Sequence, residues 1–300
     1  MTTPTTQLLT DLEPVVEKML DRHLAAAEEW FPHDYVPWER GRNFITEPWE
    51  PGDSTLSGIA RTAMELNLLT EDNLPYYHLA IWTTFGGEGA WGEWVRRWTA
   101  EEGRHSIAMR DFLMVTRGVD PVELERARIE HVSRGYYPGG DFTPLDGIVY
   151  VTLQELATRI SHRGTGAITE SPEAEKLMKR IATDENLHYV FYRDIAAAVL
   201  EIDPSAMMQA IKRQVLGFAM PGLELPGFRD KAISIAKAGI YDLRIHHDQV
   251  LTQVLLKQWK IDDIDGLDDD AKAARDEVHT FLGHLDAAAT RYEEKQLANA

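Results

Sequence analysis

The sequence predicts an all-α protein whose core is a four-helix bundle with additional helices around it. In most segments, apolar residues recur at the three- and four-residue intervals of one helix face. No segment alternates apolar and polar residues over the length of a strand. Two matched sets of Glu and His residues fall on four of the helix-like segments, which indicates four helices that face one interior.

Four helices are predicted in the first half of the chain, separated by Pro and Gly residues. Prolines follow Trp30 and end the first helix near that residue. Thr70 is a suitable N-cap for the third helix and would place Glu71 in its first turn. The sequence FGGEG at 85–89 separates the third helix from the fourth. In order, the predicted helices cover about 8–30, 55–68, 70–84 and 90–115.

A loop at 134–146 is predicted to precede the second half, which contains five more helices. Gly164 and Gly166 are expected to end the first of these, and Asp203 to begin the third. In order, the predicted helices cover about 148–163, 172–200, 203–220, 228–258 and 268–296. We expect a single domain over residues 1–300, with a site core at about 55–200 and C-terminal helices at about 205–296.

Composition excludes several classes of function. The net charge of −18 argues against nucleic acid or an anionic membrane as the main partner. Cys is absent, which excludes disulfides, thiolate metal sites and Cys nucleophiles. No apolar run is long enough to span a membrane, and the N-terminus has no secretory signal pattern. We therefore expect a cytoplasmic protein.

The candidate metal ligands form two copies of one pattern, a lone Glu followed at nearly the same distance by Glu-x-x-His. The copies are Glu71, Glu102 and His105, then Glu155, Glu185 and His188. Residues three positions apart share a helix face, so each Glu-x-x-His can bind one metal ion. Four carboxylates and two imidazoles on four helices are the ligands with which bundles hold two iron or manganese ions.

A single Glu-x-x-His is more often part of a solvated helix face. Here the first motif is flanked by Trp94 and Trp98, and the second is followed by HYVFYRDIAAAVL. Such flanks predict burial, and a buried Glu needs a partner or a metal ion. The other histidines lack a Glu at matched spacing and are expected in core or surface roles: His78, His131, His162, His246, His247, His279 and His284.

Four segments around these ligands resemble the soluble acyl-carrier-protein desaturases, the ferritin-like di-iron enzymes of plastids and actinobacteria. They are LTEDNLPYY, RRWTAEEGRH, VTLQELATRISH and TDENLHYVFY, and EIDP, AMPG and LKQWKIDDIDGL resemble further family segments. The resemblance extends from about residue 8 to 295. It implies a ferritin-like fold, two iron ions per chain and the six ligands named above.

The resemblance also implies the reaction and its partners. The family uses O2 and two electrons from reduced ferredoxin to make a cis double bond in an acyl chain held on acyl carrier protein, and homodimers are expected. Thr158 stands where the family has its site threonine. Asp184 and Trp30 match positions suggested to pass electrons through His105, and Lys212 with Arg213 lies near the family's carrier-docking patch.

Other interpretations remain open. A hydroxylase or N-oxygenase would share the six ligands, and Thr158 could instead bond back to a carbonyl of its own helix. A ribonucleotide reductase radical subunit would place Tyr one turn after the first motif His, where this chain has Met109. Iron storage and a homologue without desaturase turnover are further alternatives. The connection FGGEGAWGEW is shorter than in the family, which leaves chain length and double-bond position open.

Overall fold

The computed structural model describes residues 4–299 except 138, 140, 224 and 226. Within these residues all the regular structure is helical, which confirms the all-α prediction. The α-helices are α1 (Pro4–Ala26), α2 (Gly58–Glu71), α3 (Leu74–Phe85), α4 (Gly89–Val115), α5 (Pro121–Arg134), α6 (Pro144–Ala167), α7 (Pro172–Ile202), α8 (Pro204–Leu216), α9 (Phe228–Lys237), α10 (Leu243–Ile245) and α11 (Asp269–Asn299). Helix α10 continues directly into a π-helical segment, His246–Gln258.

Four helices form the bundle, and each of them packs against two others in the ring α2, α4, α7, α6. Helix α1 covers the side formed by α4 and α7, and α3 packs on α4 and α6. Helix α8 packs on α6 and α7 and carries α11 on its outer side. The bundle interior is therefore surrounded by further helices, as the sequence predicts.

Caps and first-turn prolines define where the bundle helices α6 and α7 begin. Thr143 and Asp146 form a capping box in which each side chain bonds to the backbone N–H of the other. Ser171 accepts a hydrogen bond from the backbone N–H of Ala174 and caps α7. Pro occupies the first helical position in both, where its missing N–H costs nothing. Only four residues, 168–171, join α6 to α7, so the two helices run antiparallel.

The predicted boundary at Thr70 was wrong. Its hydroxyl donates 2.8 Å back to the carbonyl of Asn67 instead of capping a new helix. Helix α2 therefore continues to Glu71, which lies in its last turn, and α3 begins only at Leu74. The correction moves the first candidate ligand to the C-terminal end of a helix and leaves it in the bundle.

Other helix boundaries also differ from the sequence prediction: α8 ends at Leu216 rather than near residue 220, and α5, at Pro121–Arg134, was not predicted. Helix α1 ends at Ala26, before Trp30. Gly164 and Gly166 do not end α6, which begins at its cap and continues to Ala167. The single helix predicted at 228–258 is broken around Gly239, whose φ of 70° is strained for any side chain.

Gly164 has a packing role instead. A Cβ there would lie 2.7 Å from the backbone oxygen of Ile240, so glycine lets the chain before the π-helical segment cross α6 closely. The core contains tightly packed aromatic rings, with Trp94 stacked on Phe191 at a centroid distance of 3.6 Å. Among the described helices, none has both the length and the apolar character needed to cross a bilayer.

Candidate metal centre

Six buried side chains converge in the middle of the bundle, and all four bundle helices contribute. Each is at most 7% exposed. They form two groups whose ligand atoms lie within 4.8 Å of one another. The first group is Glu71, Glu102, His105 and Glu185, and the second is Glu102, Glu155, Glu185 and His188. Glu102 and Glu185 belong to both groups, so they stand between two candidate ion positions.

The inner atoms of this cluster make short contacts without hydrogen bonds. His188 Nδ1 lies 2.7 Å from Glu102 Oε1, and His105 Nδ1 lies 3.3 Å from Glu185 Oε1. Yet these four atoms lack a hydrogen-bond partner, as do the second oxygen of Glu185 and Oε2 of Glu155. Buried polar atoms are normally satisfied. Lone pairs that converge in this way suit divalent cations, so the residues fit the ligand set of a di-metal centre.

The outer nitrogen of each imidazole faces a carboxylate. His105 Nε2 lies 3.3 Å from Asp184, and His188 Nε2 lies 3.0 Å from Glu101. An outer carboxylate of this kind holds the proton on Nε2 and turns the Nδ1 lone pair toward the metal. Each such carboxylate immediately precedes the Glu of a Glu-x-x-His motif. The structure thus extends the repeat to Glu101, a residue that the sequence analysis missed.

Asp184 links His105 to Trp30, a buried residue in the segment that follows α1. The Trp30 indole N–H donates to it over 2.8 Å, and the Trp30 ring stacks on His105 at 6.4 Å between centroids. Arg104 and Arg180 also donate to it, over 2.8 Å and 2.5 Å. Burial alone would raise the Asp184 pKa, but its hydrogen bond to His105 and the nearby positive charges lower it. The predicted triple of Trp30, Asp184 and His105 is therefore in direct contact.

Glu101 has a matching set of partners on the other side of the bundle. His23 Nε2 of α1 lies 2.9 Å from its Oε2, and Arg97 approaches its other oxygen to 2.5 Å. Burial opposes ionisation of Glu101, but hydrogen bonds to His188 and His23 outweigh it and lower the pKa. His23 and Glu101 are 78 positions apart, so no local spacing signals their pairing.

Glu71 belongs only to the first group and Glu155 only to the second. These two carboxylates have different hydrogen-bond partners outside the cluster. His162 Nε2 lies 3.1 Å from Glu71 Oε1, while the Trp98 indole N–H donates to Glu155 Oε1 over 3.1 Å. Burial and the negative charge of Glu102 raise the pKa of Glu71 to about 8. Burial and neighbouring carboxylates also raise the pKa of Glu155. The sequence analysis expected only a core or surface role for His162. The structure places this histidine beside the candidate metal ligands.

Thr158 and the predicted docking pair are engaged in other bonds. The Thr158 hydroxyl donates over 2.9 Å to the carbonyl of Gln154, the back-bond considered from the sequence. Lys212 donates to Glu277 over 2.6 Å, and Arg213 pairs with Asp146 at 2.8 Å. Catalytic and docking roles for these three residues stay predictions.

A cavity of about 570 Å³ borders the cluster and also exposes Thr158. It extends from α3 on one side to the segments around α8 and α9 on the other. Apolar side chains dominate its walls, for example Ile81, Phe85, Val151, Phe218 and Ile235. Glu71 and Glu102 line the same cavity, so a long apolar molecule held there would pass directly beside the candidate metal positions.

Known proteins are similar to this chain in sequence. The model of the fatty acid desaturase family matches residues 4–300. DesA1 of Mycobacterium tuberculosis (strain ATCC 25618 / H37Rv), provisionally named an acyl-acyl-carrier-protein desaturase, is 48% identical over 96% of this chain and 88% of its own length. Stearoyl-acyl-carrier-protein 9-desaturase 6 of Arabidopsis thaliana, a chloroplastic protein, is 30% identical over 76% of this chain and 62% of its own length.

A solved structure agrees with the fold. DesA2 of Mycobacterium tuberculosis H37Rv, provisionally titled an acyl-ACP desaturase, superposes with a TM-score of 0.72 at 30% identity, over 89% of this chain and 99% of that one. Sequence and fold thus agree over nearly the whole length. On these grounds, the chain belongs to the fatty acid desaturase family.

Proposed function

We propose that this chain is an O2-dependent di-iron desaturase that introduces a cis double bond into a saturated acyl chain held as a thioester on acyl carrier protein. The observation that carries the proposal is a buried cluster of four carboxylates and two imidazoles beside an apolar cavity of about 570 Å³. Membership of the fatty acid desaturase family supports the reaction class. The names of the relatives support the carrier-bound substrate.

The cluster is proposed to bind two iron ions, with manganese as a substitute. The ligands would be Glu71, Glu102, His105, Glu155, Glu185 and His188. Oxygen and imidazole donors suit these metals, and the absence of Cys excludes thiolate ligands. Once bound, the ions would reduce O2, and this chemistry would oxidise an unactivated C–H bond of the acyl chain.

The proposed reaction converts one CH2–CH2 unit to CH=CH. It consumes one O2, two electrons and two protons, and it releases two molecules of water. Apolar walls such as Phe85 and Phe218 would keep water out and hold the chain beside the ligands. Thr158 lines the same cavity, and its hydroxyl would orient oxygen or deliver a proton once it leaves its back-bond to Gln154.

Electrons are proposed to enter through Trp30, Asp184 and His105. The direct indole–carboxylate and imidazole–carboxylate contacts support this route. Reduced ferredoxin is the proposed donor. The substitution Trp30→Phe should slow reduction by ferredoxin while metal content stays the same, and an unchanged reduction rate would contradict the route.

We further propose a cytoplasmic homodimer that docks acyl carrier protein near Lys212 and Arg213. Carrier proteins of this kind are acidic, and a chain of net charge −18 needs a local basic surface to bind one. Both side chains are now paired with carboxylates, so docking there would exchange Glu277 and Asp146 for acidic groups of the carrier.

The test is product analysis with the iron-loaded protein. Ferredoxin, its reductase, NADPH and O2 are supplied with acyl carrier proteins that bear saturated chains of several lengths. Mass spectrometry should show a loss of two hydrogens from one or more chains. A product that gains one oxygen would instead support a hydroxylase. Absence of any product from a protein with two irons bound would contradict desaturation of these substrates.

A further inference from the structure

Glu71 and Glu155 each belong to only one of the two candidate metal groups. Their carboxylates accept hydrogen bonds from chemically different donors. Trp98, on α4, reaches Glu155 with an indole N–H. His162, on α6, reaches Glu71 with Nε2 of an imidazole. The outer shells of the two imidazole ligands match, since each pairs with a carboxylate. One difference between the two candidate metal positions is therefore the hydrogen-bond donor to Glu71 and to Glu155.

His162 is placed as a dedicated support. It is fully buried, and its Nε2 lies 3.1 Å from Glu71 Oε1 and 3.6 Å from Glu185 Oε1. Its Nδ1 is buried and has no hydrogen-bond partner. As metal ligands, both groups that Nε2 faces are ionised carboxylates, which only accept, so the proton belongs on Nε2 in the metal-bound form. The imidazole thus donates inward from one nitrogen and makes no competing bond at the other.

We infer that His162 is a positioning residue that orients the Glu71 carboxylate toward one metal ion. The inference rests on the proposed di-metal centre. Glu71 lies in the last turn of α2, and the hydrogen bond to its Oε1 comes from a different helix, α6. Without His162, Oε1 of this buried carboxylate loses the hydrogen-bond donor that it has among the described residues, and with it the contact that fixes its orientation.

Loss of such an outer hydrogen bond reduces metal affinity by about 10- to 100-fold in comparable sites. The loss should affect one ion and not both. Glu71 belongs only to the group that contains His105, whereas His188 and Glu155 form the other group with the shared carboxylates. Binding of the ion beside His188 should therefore remain at its wild-type affinity.

Two isosteric variants separate positioning from packing. In His162→Gln the side-chain amide N–H can occupy the place of Nε2, whereas in His162→Asn it corresponds to Nδ1 and does not reach Glu71. Both are neutral and polar, so both are suited to the same pocket. His131→Gln, a buried histidine on α5 outside the bundle, is the matched control.

The experiment is anaerobic titration of each purified protein with Co²⁺, followed by visible absorbance and calorimetry. Circular dichroism checks folding. Wild type, His162→Gln and His131→Gln should bind two ions with similar affinities. His162→Asn should bind one ion as wild type does and the other about 10- to 100-fold more weakly. Equal binding by His162→Asn and wild type would overturn the inference, as would equal weakening of both ions or equal weakening in the Gln and Asn variants. A wild type that binds fewer than two ions would instead refute the di-metal centre.

Discussion

Replacing Asp184 by Asn tests how the outer carboxylate supports the centre. Asn has the shape of Asp but no charge. In the folded protein, Asp184 accepts hydrogen bonds from Trp30, Arg104 and Arg180 and faces His105. The variant leaves two guanidinium groups without their shared counter-charge. An Asn amide can also donate to His105 Nε2, which would place the imidazole proton on Nδ1, where a metal ion should bind.

The structure sets the size of both effects. Breaking a buried ion pair by removing one partner costs about 3–5 kcal/mol. Arg180 keeps a contact with Glu28 at 3.3 Å, and Arg104 keeps one with Glu101 at 3.6 Å. The loss in unfolding free energy should therefore be near the lower end, about 3 kcal/mol. Metal affinity should fall by about 10- to 100-fold because His105 loses its orienting partner.

Urea unfolding of the metal-free protein and Co²⁺ titration measure the two effects separately. Asp194→Asn is the matched control, because Asp194 lies on the same helix and pairs with Arg22 and Arg193. It is partly exposed, so its loss should cost less stability, and metal affinity should not change. If Asp184→Asn binds metal as tightly as wild type does, Asp184 does not orient His105 for metal binding.

Three further predictions concern other parts of the fold. Burial and His247 lower the pKa of His246 to about 4 from 6.5, so its neutral form stabilises the fold fully above pH 6.5 and this contribution is lost toward pH 4. His246→Gln should therefore lose less stability than wild type between those pH values in urea unfolding, by up to about 3 kcal/mol. Gly164→Ala should lower the unfolding free energy by about 1–3 kcal/mol through its clash with a backbone carbonyl, while Gly283→Ala, with nothing near the new Cβ, should not. Trp98→Phe removes the N–H donor to the second metal group and should weaken binding of one Co²⁺ ion by about 10-fold or more. The corresponding contact would be contradicted by an unchanged pH dependence in His246→Gln, an unchanged unfolding free energy in Gly164→Ala, or an unchanged Co²⁺ affinity in Trp98→Phe.

Much of the candidate site could be predicted because its ligands repeat along helices. The three-residue spacing of Glu102 and His105 places both on one helix face, whatever the rest of the fold does. The second copy then identifies the other face of the same interior. The structure brings all six residues together in the predicted bundle, while their role as ligands stays a prediction.

The supporting residues could not be predicted in the same way. His23 meets Glu101, and His162 meets Glu71, only because of how separate helices rotate and pack. These contacts span 78 and 91 positions, and no periodicity links their members. The wrong boundary at Thr70 has a different cause. A threonine hydroxyl can cap a new helix or bond back to its own, and only packing decides between the two.

The central claim is that six side chains hold two metal ions between α2, α4, α6 and α7. Anomalous X-ray diffraction at the iron absorption edge, from crystals of the iron-loaded protein, tests it most directly. We expect two peaks per chain, one beside Glu71 and His105 and one beside Glu155 and His188, with Glu102 and Glu185 between them. A single peak, or peaks outside these groups, would contradict it.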